Sequence, residues 1–201
     1  PRHLAALRDG ARDGDRGFVF IKPQDALTVQ VPHVGPSTRR GAAARRIRVM
    51  VAIDGMGIGG AEMVVRDLAR FVDRARFDLC VCCTKGLGSV GESLLREGID
   101  AFVLPRRKDK GVDYATPAKL LAALKSREID IVHTHAASAL WDAGLCKLMF
   151  PGLKAVHTFD FGNSPQLGRR LRWMEGTAAR VIDRLEAVGR QQRAAILSTY
   201  R

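Results

Sequence analysis

The chain has 201 residues, 46% of them hydrophobic, and carries a net charge of +12. That length and apolar content exclude wholesale disorder and suffice for one buried domain with an appendage, but are short for two full α/β domains. No apolar run approaches the ~20 residues needed to cross a bilayer and no secretory leader is visible, although the chain opens on Pro1 rather than Met and so reads as a fragment.

Residues 1–46 are rich in Gly, Arg, Asp and Pro, with nine basic residues against four acidic ones. They are expected to form an irregular or partly disordered basic segment. Two short apolar runs, Gly17 to Ile21 and Ala26 to Val31, flank Lys22-Pro23-Gln24-Asp25, a turn composition that allows a small hairpin. Pro32 to Arg46 reads as a linker.

The pattern becomes regular at Ile47, and residues 47–201 read as one domain. Ile47 to Ile53 is a near-continuous apolar strand, as expected when both faces are covered. A glycine-rich turn, Asp54 to Gly60, leads into a helix from about Ala61 to Arg74, with Met63, Val64, Leu68, Phe71 and Val72 at helical spacing. The next strand, Phe77 to Thr84, holds Cys80, Cys82 and Cys83 without C-x-x-C spacing. With Cys146 they read as buried thiols in a reducing cytoplasm, not as metal ligands or disulfides. Ser89 caps a helix running to about Glu97, and Gly98 stops it. Asp100 to Leu104 is a short strand ended by Pro105. Thr116 and Pro117 read as the N-cap and first residue of a helix to about Arg127. Ile129 to His133 is a strand, Ser138 to Phe150 a helix and Leu153 to Phe159 a strand. Basic helical segments around a short strand at Ala179 to Ile182 complete the chain.

Basic and acidic residues number sixteen and fourteen over 47–163, but eight and three over 164–201. The basicity therefore belongs to the two ends, which argues against a nucleic-acid partner. Solvated arginine-rich faces and attraction to anionic lipid headgroups or an acidic acceptor both remain open.

Strand and helix alternate with short connections, so the fold class is α/β: a Rossmann-like doubly wound parallel sheet with right-handed crossovers. In such sheets ligands bind outside the carboxyl ends of the strands. Function is accordingly sought at residues 54–60, 85–89, 105–111, 133–138 and 158–164.

Four of these regions carry candidate chemistry. Gly55, Gly57 and Gly60 match G-x-G-x-x-G, where backbone amides and a helix N-terminus can approach a phosphate. A dinucleotide site also wants an acidic residue ending the second strand, and Lys85 stands there instead; a turn serving close packing alone is the remaining alternative. His133 and His135 alternate along a strand and so share one face; two histidines alone make an incomplete metal site, and cleft-facing and packed roles both stay open. His157 shares a face with Phe159, and Thr158 with Asp160. Either His157 or Asp160 could act as a polar or acid–base group. Arg106, Arg107, Lys108 and Lys110 form a basic loop, either solvated or touching an anionic acceptor or headgroup. Arg169, Arg170 and Arg172 beside Leu167, Leu171, Trp173 and Met174 form an amphipathic helix that lies on a membrane or covers the sheet.

Together, Gly59-Gly60-Ala61-Glu62, Asp130-Ile131-Val132-His133-Thr134-His135, Val156-His157-Thr158-Phe159 and Glu175 to Ile182 resemble the amino-terminal, acceptor-side domain of the large retaining, family-four-type glycosyltransferases of the GT-B architecture. The resemblance runs from about Arg46 to the end. It implies a nucleotide-sugar donor as substrate and a glycan, lipid or small-molecule acceptor, with retention of configuration and no metal or other cofactor. By position, Gly59 and Gly60 would line the donor phosphates. His135 and Asp160 would be catalytic, and His133, His157, Arg106 and Arg107 would bind the acceptor. A cytoplasmic domain, peripheral at the inner face of a membrane, is expected.

The sequence departs from the family at two places. Asp160 stands where the family commonly has a histidine, and Asp183-Arg184-Leu185-Glu186 where it often has Val-Ser-Glu after the last strand. No second βαβ series precedes Arg201, so the donor-binding carboxyl-terminal domain is expected to be absent or on a partner chain, leaving this chain inactive alone. A non-catalytic binding or membrane-docking module, and another Rossmann-type enzyme such as a nucleotide-sugar epimerase or NAD-dependent enzyme, are the alternatives.

Overall fold

The structure, a computed structural model, describes residues 18–20, 45–105, 113–135, 137–160 and 168–199. Seven parallel strands form one sheet: β1 (Phe18–Phe20), β2 (Ile47–Gly55), β3 (Phe77–Gly86), β4 (Ala101–Val103), β5 (Ile131–His135), β6 (Lys154–Phe159) and β7 (Arg184–Ala187). The helices are α1 (Gly60–Phe71), α2 (Gly88–Arg96), α3 (Thr116–Ser126), α4 (Ala137–Met149), α5 (Arg169–Ala179) and α6 (Arg190–Thr199). Spatial order is β1-β7-β6-β5-β2-β3-β4, so the chain winds outward in both directions from β2 and β5. This is the doubly wound sheet expected from the alternation.

Alternation along β2 assigns the two faces. Met50 and Ala52 point to one side and join Leu120, Leu124, Leu140 and Ile196 in a core beneath α3, α4 and α6. Val51 and Ile53 point to the other and pack with Val65 and Ala69 of α1 and Val90 and Leu94 of α2. Both sides of β2 are thus covered, which is why its sequence is apolar throughout. Each fully buried Leu or Met contributes about 1.5–3 kcal/mol relative to its exposed state.

Several boundaries differ from the sequence expectation. β5 begins at Ile131, not Ile129, because the Asp130 carboxylate accepts the Arg48 amide at 2.8 Å and holds the turn before the strand. The last strand is Arg184–Ala187 instead of 179–182, since α5 continues through Ala179 and Asp183 Oδ2 accepts the Ala155 amide at 2.8 Å. Asp183-Arg184-Leu185-Glu186 therefore leads into and forms most of β7; the residues that follow it are Val188-Gly189-Arg190, opening α6. Ser89 is not a cap: α2 starts at Gly88 with no side-chain capping bond. Thr116 opens α3 one residue after the N-cap Ala115, its hydroxyl donating to the Asp113 carbonyl at 2.7 Å. Phe18–Phe20 adds to the sheet edge in parallel with β7; the second arm of the expected hairpin, Ala26 to Val31, lies outside the described residues. α5 packs on α4, with Gly144 against Ala178, and leaves Trp173 exposed. Among the described residues no helix is long and apolar enough to cross a membrane. All four cysteines are free and buried, and burial pushes the Cys83 and Cys146 thiols up to about 12.

Candidate functional site

The direction of winding reverses between β2 and β5, and such a switch point opens a crevice at the carboxyl ends of the strands. The β2 side of that crevice is the glycine turn. Gly59 is the N-cap of α1 with extended backbone and no side-chain capping bond, so the first amides of the helix lack a side-chain acceptor at the cap. A Cβ added at Gly57 or Gly60 would meet nothing within 4 Å. Close packing among the described residues is therefore not what glycine serves at these two positions, and they leave space beside the backbone for a ligand. At Gly59 the nearest atoms that an added Cβ would meet belong to the Glu62 carboxylate, the end of a flexible side chain.

The turn is braced from behind by the start of α2. Met56 is fully buried, and its carbonyl accepts the amides of Val90 at 3.0 Å and Gly91 at 3.3 Å. Gly88 has φ +63°, and a Cβ there would lie 2.4 Å from the Met56 oxygen. Only glycine fits both the backbone angle and the approach.

Asp54 closes β2 as a hub. Its carboxylate accepts from Thr84 at 2.9 Å, Ser138 at 2.8 Å and Lys85 at 2.5 Å, tying β3 and α4 to the turn. Burial opposes its ionisation, but these donors outweigh that effect and hold the carboxyl below the ordinary range. Lys85 is thus engaged with Asp54 at the position where a dinucleotide site would need an acid. Asp142, one turn along α4 from Ser138, is pushed up to about 7 by burial and by the charge of Asp54.

The other side of the crevice is a polar group shared by three strands. Val51 of β2 is in register with His133, so β5 directs His133 and His135 to the face occupied by α1 and α2. Their rings lie 4.5 Å apart, tilted by 39°. Across from them, β6 brings Thr158 and Asp160. His135 Nδ1 lies 3.0 and 3.1 Å from the two Asp160 oxygens; both side chains are almost fully buried. A carboxylate only accepts, so Nδ1 carries the proton and donates it, which in the neutral ring leaves the lone pair on Nε2. That Nε2 is buried and has no hydrogen-bond partner among the described residues. A buried acceptor left this way costs about 1–3 kcal/mol, a cost that a bound hydroxyl would remove.

His133 Nε2 lies 2.8 Å from Thr158 Oγ1, whose hydroxyl donates to Glu186 Oε2 at 2.8 Å. Burial, with His135 and His157 nearby, holds the His133 ring well below the ordinary imidazole range. Burial also raises the Glu186 carboxyl above the usual glutamate range.

The sequence-derived candidates thus separate. His133, His135 and Asp160 come together, while Gly59 and Gly60 stand at the neighbouring turn. His157 does not join them. It faces the opposite core, Nδ1 2.8 Å from Thr134 Oγ1 and its ring edge-on to Phe159 at 4.6 Å, and burial, with His135 close by, pushes it down to about 3. Asp130 lies at the other end of the sheet, bonded to Arg45 and Arg48. Arg106, Arg107, Lys108 and Lys110 lie outside the described residues. Among the described residues no cluster of three or more His, Cys, Asp or Glu could hold a metal ion. Glu186, Asp142 and Gly88 were not singled out from the sequence, because each acquires its neighbours only through cross-strand register or through the packing of α2 and α4.

The model of the Glycosyltransferase Family 4 domain matches residues 58–201. The chain belongs to glycosyltransferase family 4. The capsular polysaccharide biosynthesis glycosyltransferase CapH of Staphylococcus aureus is 33% identical over 104 residues, which are 51% of this chain and 27% of CapH. Among solved structures, Anabaena HepE in complex with UDP superposes with a TM-score of 0.63 at 17% identity, covering 76% of this chain and 41% of HepE. MurG of Acinetobacter baumannii gives 0.51 at 14% identity, over 72% of this chain and 42% of MurG. This family 4 domain therefore has the Rossmann-like fold of GT-B glycosyltransferases and spans less than half the length of these relatives. Its match to the family includes both the glycine turn from Ile58 and the histidine–carboxylate group on β5 to β7.

Proposed function

We propose that this domain is the acceptor-side half of a GT-B glycosyltransferase that moves a sugar from a nucleotide sugar to a hydroxyl of a glycan, lipid or small molecule. One juxtaposition carries the reading: the open space beside Gly57 and Gly60 and the buried His135 Nε2, which has no partner among the described residues, stand on adjacent central strands of one sheet edge. The turn and the amino end of α1 would receive the donor diphosphate through backbone amides. His135 would accept the hydrogen bond or proton of the acceptor hydroxyl, with Asp160 fixing its ring, and His133 would contact the acceptor. Structures of HepE with UDP and with UDP-glucose support a uridine nucleotide as the donor class. Retention of configuration, without a metal or other cofactor, belongs to the same proposal. The ion pair between Lys85 and Asp54 favours this reading over an NAD-dependent enzyme, whose ribose would meet a cation instead of an acid.

A single half leaves the reacting sugar open to water, where positioning and charge stabilisation are weak. The 201-residue chain alone is expected to turn over nucleotide sugars negligibly, and robust turnover by it would overturn the half-site assignment. In the smallest form of the protein that does transfer sugar, His135→Gln and Asp160→Asn should each lower kcat by ~10²- to 10⁴-fold. Unchanged rates in both variants would remove His135 from the chemistry.

A further inference from the structure

One half-buried carboxylate at this edge has no part in the transfer reading. We propose that Glu186 is a positioning residue of the same acceptor site: acting through Thr158, it holds His133 in the tautomer opposite to that of His135. Its functional meaning rests on the acceptor-site reading, but its physical content does not.

A threonine hydroxyl has a single proton to donate, and that of Thr158 goes to Glu186 Oε2 at 2.8 Å. Toward His133, 2.8 Å away, the Thr158 oxygen can therefore only accept, so His133 Nε2 must carry the proton. The low basicity of the ring keeps it neutral, and its lone pair then sits on Nδ1. In His135 the order is reversed, because Asp160 takes the Nδ1 proton directly. Two imidazoles 4.5 Å apart are thus set in opposite tautomers by two carboxylates, one just past the end of β6 and one on β7.

Register makes the arrangement specific. Thr158 is paired with His135 on one side and with Glu186 on the other, so one hydroxyl bridges β5 and β7. Glu186 faces Thr158, the His133 ring at 3.8 Å, and more distantly His135 and Asp160. Strand pairing alone does not require a carboxylate there, since an apolar pair would bury at lower cost. What the carboxylate adds is direction to the hydrogen-bond chain. The result is an imidazole lone pair on each of two adjacent rings, which suits an acceptor carrying neighbouring hydroxyls, as a saccharide does.

Long-range proton–nitrogen correlation NMR of the labelled 201-residue protein at neutral pH reads both tautomers directly. His133 should be protonated on Nε2 and His135 on Nδ1. Glu186→Leu removes the acceptor and frees the Thr158 hydroxyl to donate to His133. The Nε2-protonated form of His133 should then be lost while the pattern of His135 is unchanged; Glu186→Ala makes the same test if the leucine variant does not fold. Protonation of wild-type His133 on Nδ1, or on both nitrogens, would overturn the proposal. So would retention of the wild-type pattern in either folded variant. No sugar enters the measurement, so its failure would leave the transfer reading standing, and failure of transfer would leave the tautomers as found.

Discussion

The carboxyl of Asp142 is half-buried near the ionised Asp54, and both effects push it up to about 7. In the unfolded chain an aspartate titrates near ~3.9. Between these values the folded state binds the extra proton, so this group's contribution is complete below about pH 4 and lost as pH rises through about 7. At 1.36 kcal/mol per pKa unit the loss is on the order of 2–4 kcal/mol. Asp142→Asn should abolish it: urea midpoints of wild type and variant should converge below about pH 4, with the variant the more stable at pH 8. A constant difference across that range would show that Asp142 is not held protonated. His157 acts with the opposite sign, because its ring, held down to about 3, resists the protonation that the unfolded chain accepts near ~6.5. The comparison must therefore be variant against wild type at each pH. At this scale the sequence was partly legible. Alternation correctly paired His133 with His135, and His157 with Phe159, because a period of two fixes faces without knowledge of neighbours. It could not choose between His157 and Asp160, nor find Glu186, because those roles depend on which strand lies alongside.

At the scale of elements, the start of α2 determines the shape of the glycine turn. Gly88 and Gly98 both have positive φ, +63° and +75°, but only Gly88 abuts backbone, while a Cβ at Gly98 would meet nothing within 4 Å. Alanine at Gly98 should cost ~1 kcal/mol for the backbone angle alone. At Gly88 the clash with Met56 adds to this, and ~2–4 kcal/mol is expected by urea titration. Equal losses at the two sites would mean that α2 does not brace the turn. Gly60 gives the converse case. It opens α1 and has free space beside it, so Gly60→Ala should keep or raise stability by up to ~1 kcal/mol while weakening nucleoside-diphosphate binding. Stability loss without a change in binding would restore the packing role that the sequence left open. The strands with clean apolar runs, such as Ile47 to Ile53 and Phe77 to Thr84, were readable because burial on both faces leaves a continuous signal. β7 was not, because Arg184 and Glu186 interrupt it, and the alanines at 178 and 179 suit helix and strand alike.

For the molecule as a whole, the alternation of elements was sufficient to predict a doubly wound parallel sheet, and the switch point followed from strand order. What could not be read was the division of one face into an apolar half under α1 and α2 and a polar half over β5, β6 and β7, since it arises from the register of distant strands. The central claim is that this edge receives a nucleotide sugar at the glycine turn. The most direct test is an amide NMR titration of the 201-residue protein with UDP-glucose, compared with NADH. The account predicts saturable shifts concentrated at Gly57 to Glu62, weak because one half of the cleft binds alone, and none with NADH at the same concentrations. Unperturbed amides at the turn with UDP-glucose, or tight binding of NADH there, would contradict it.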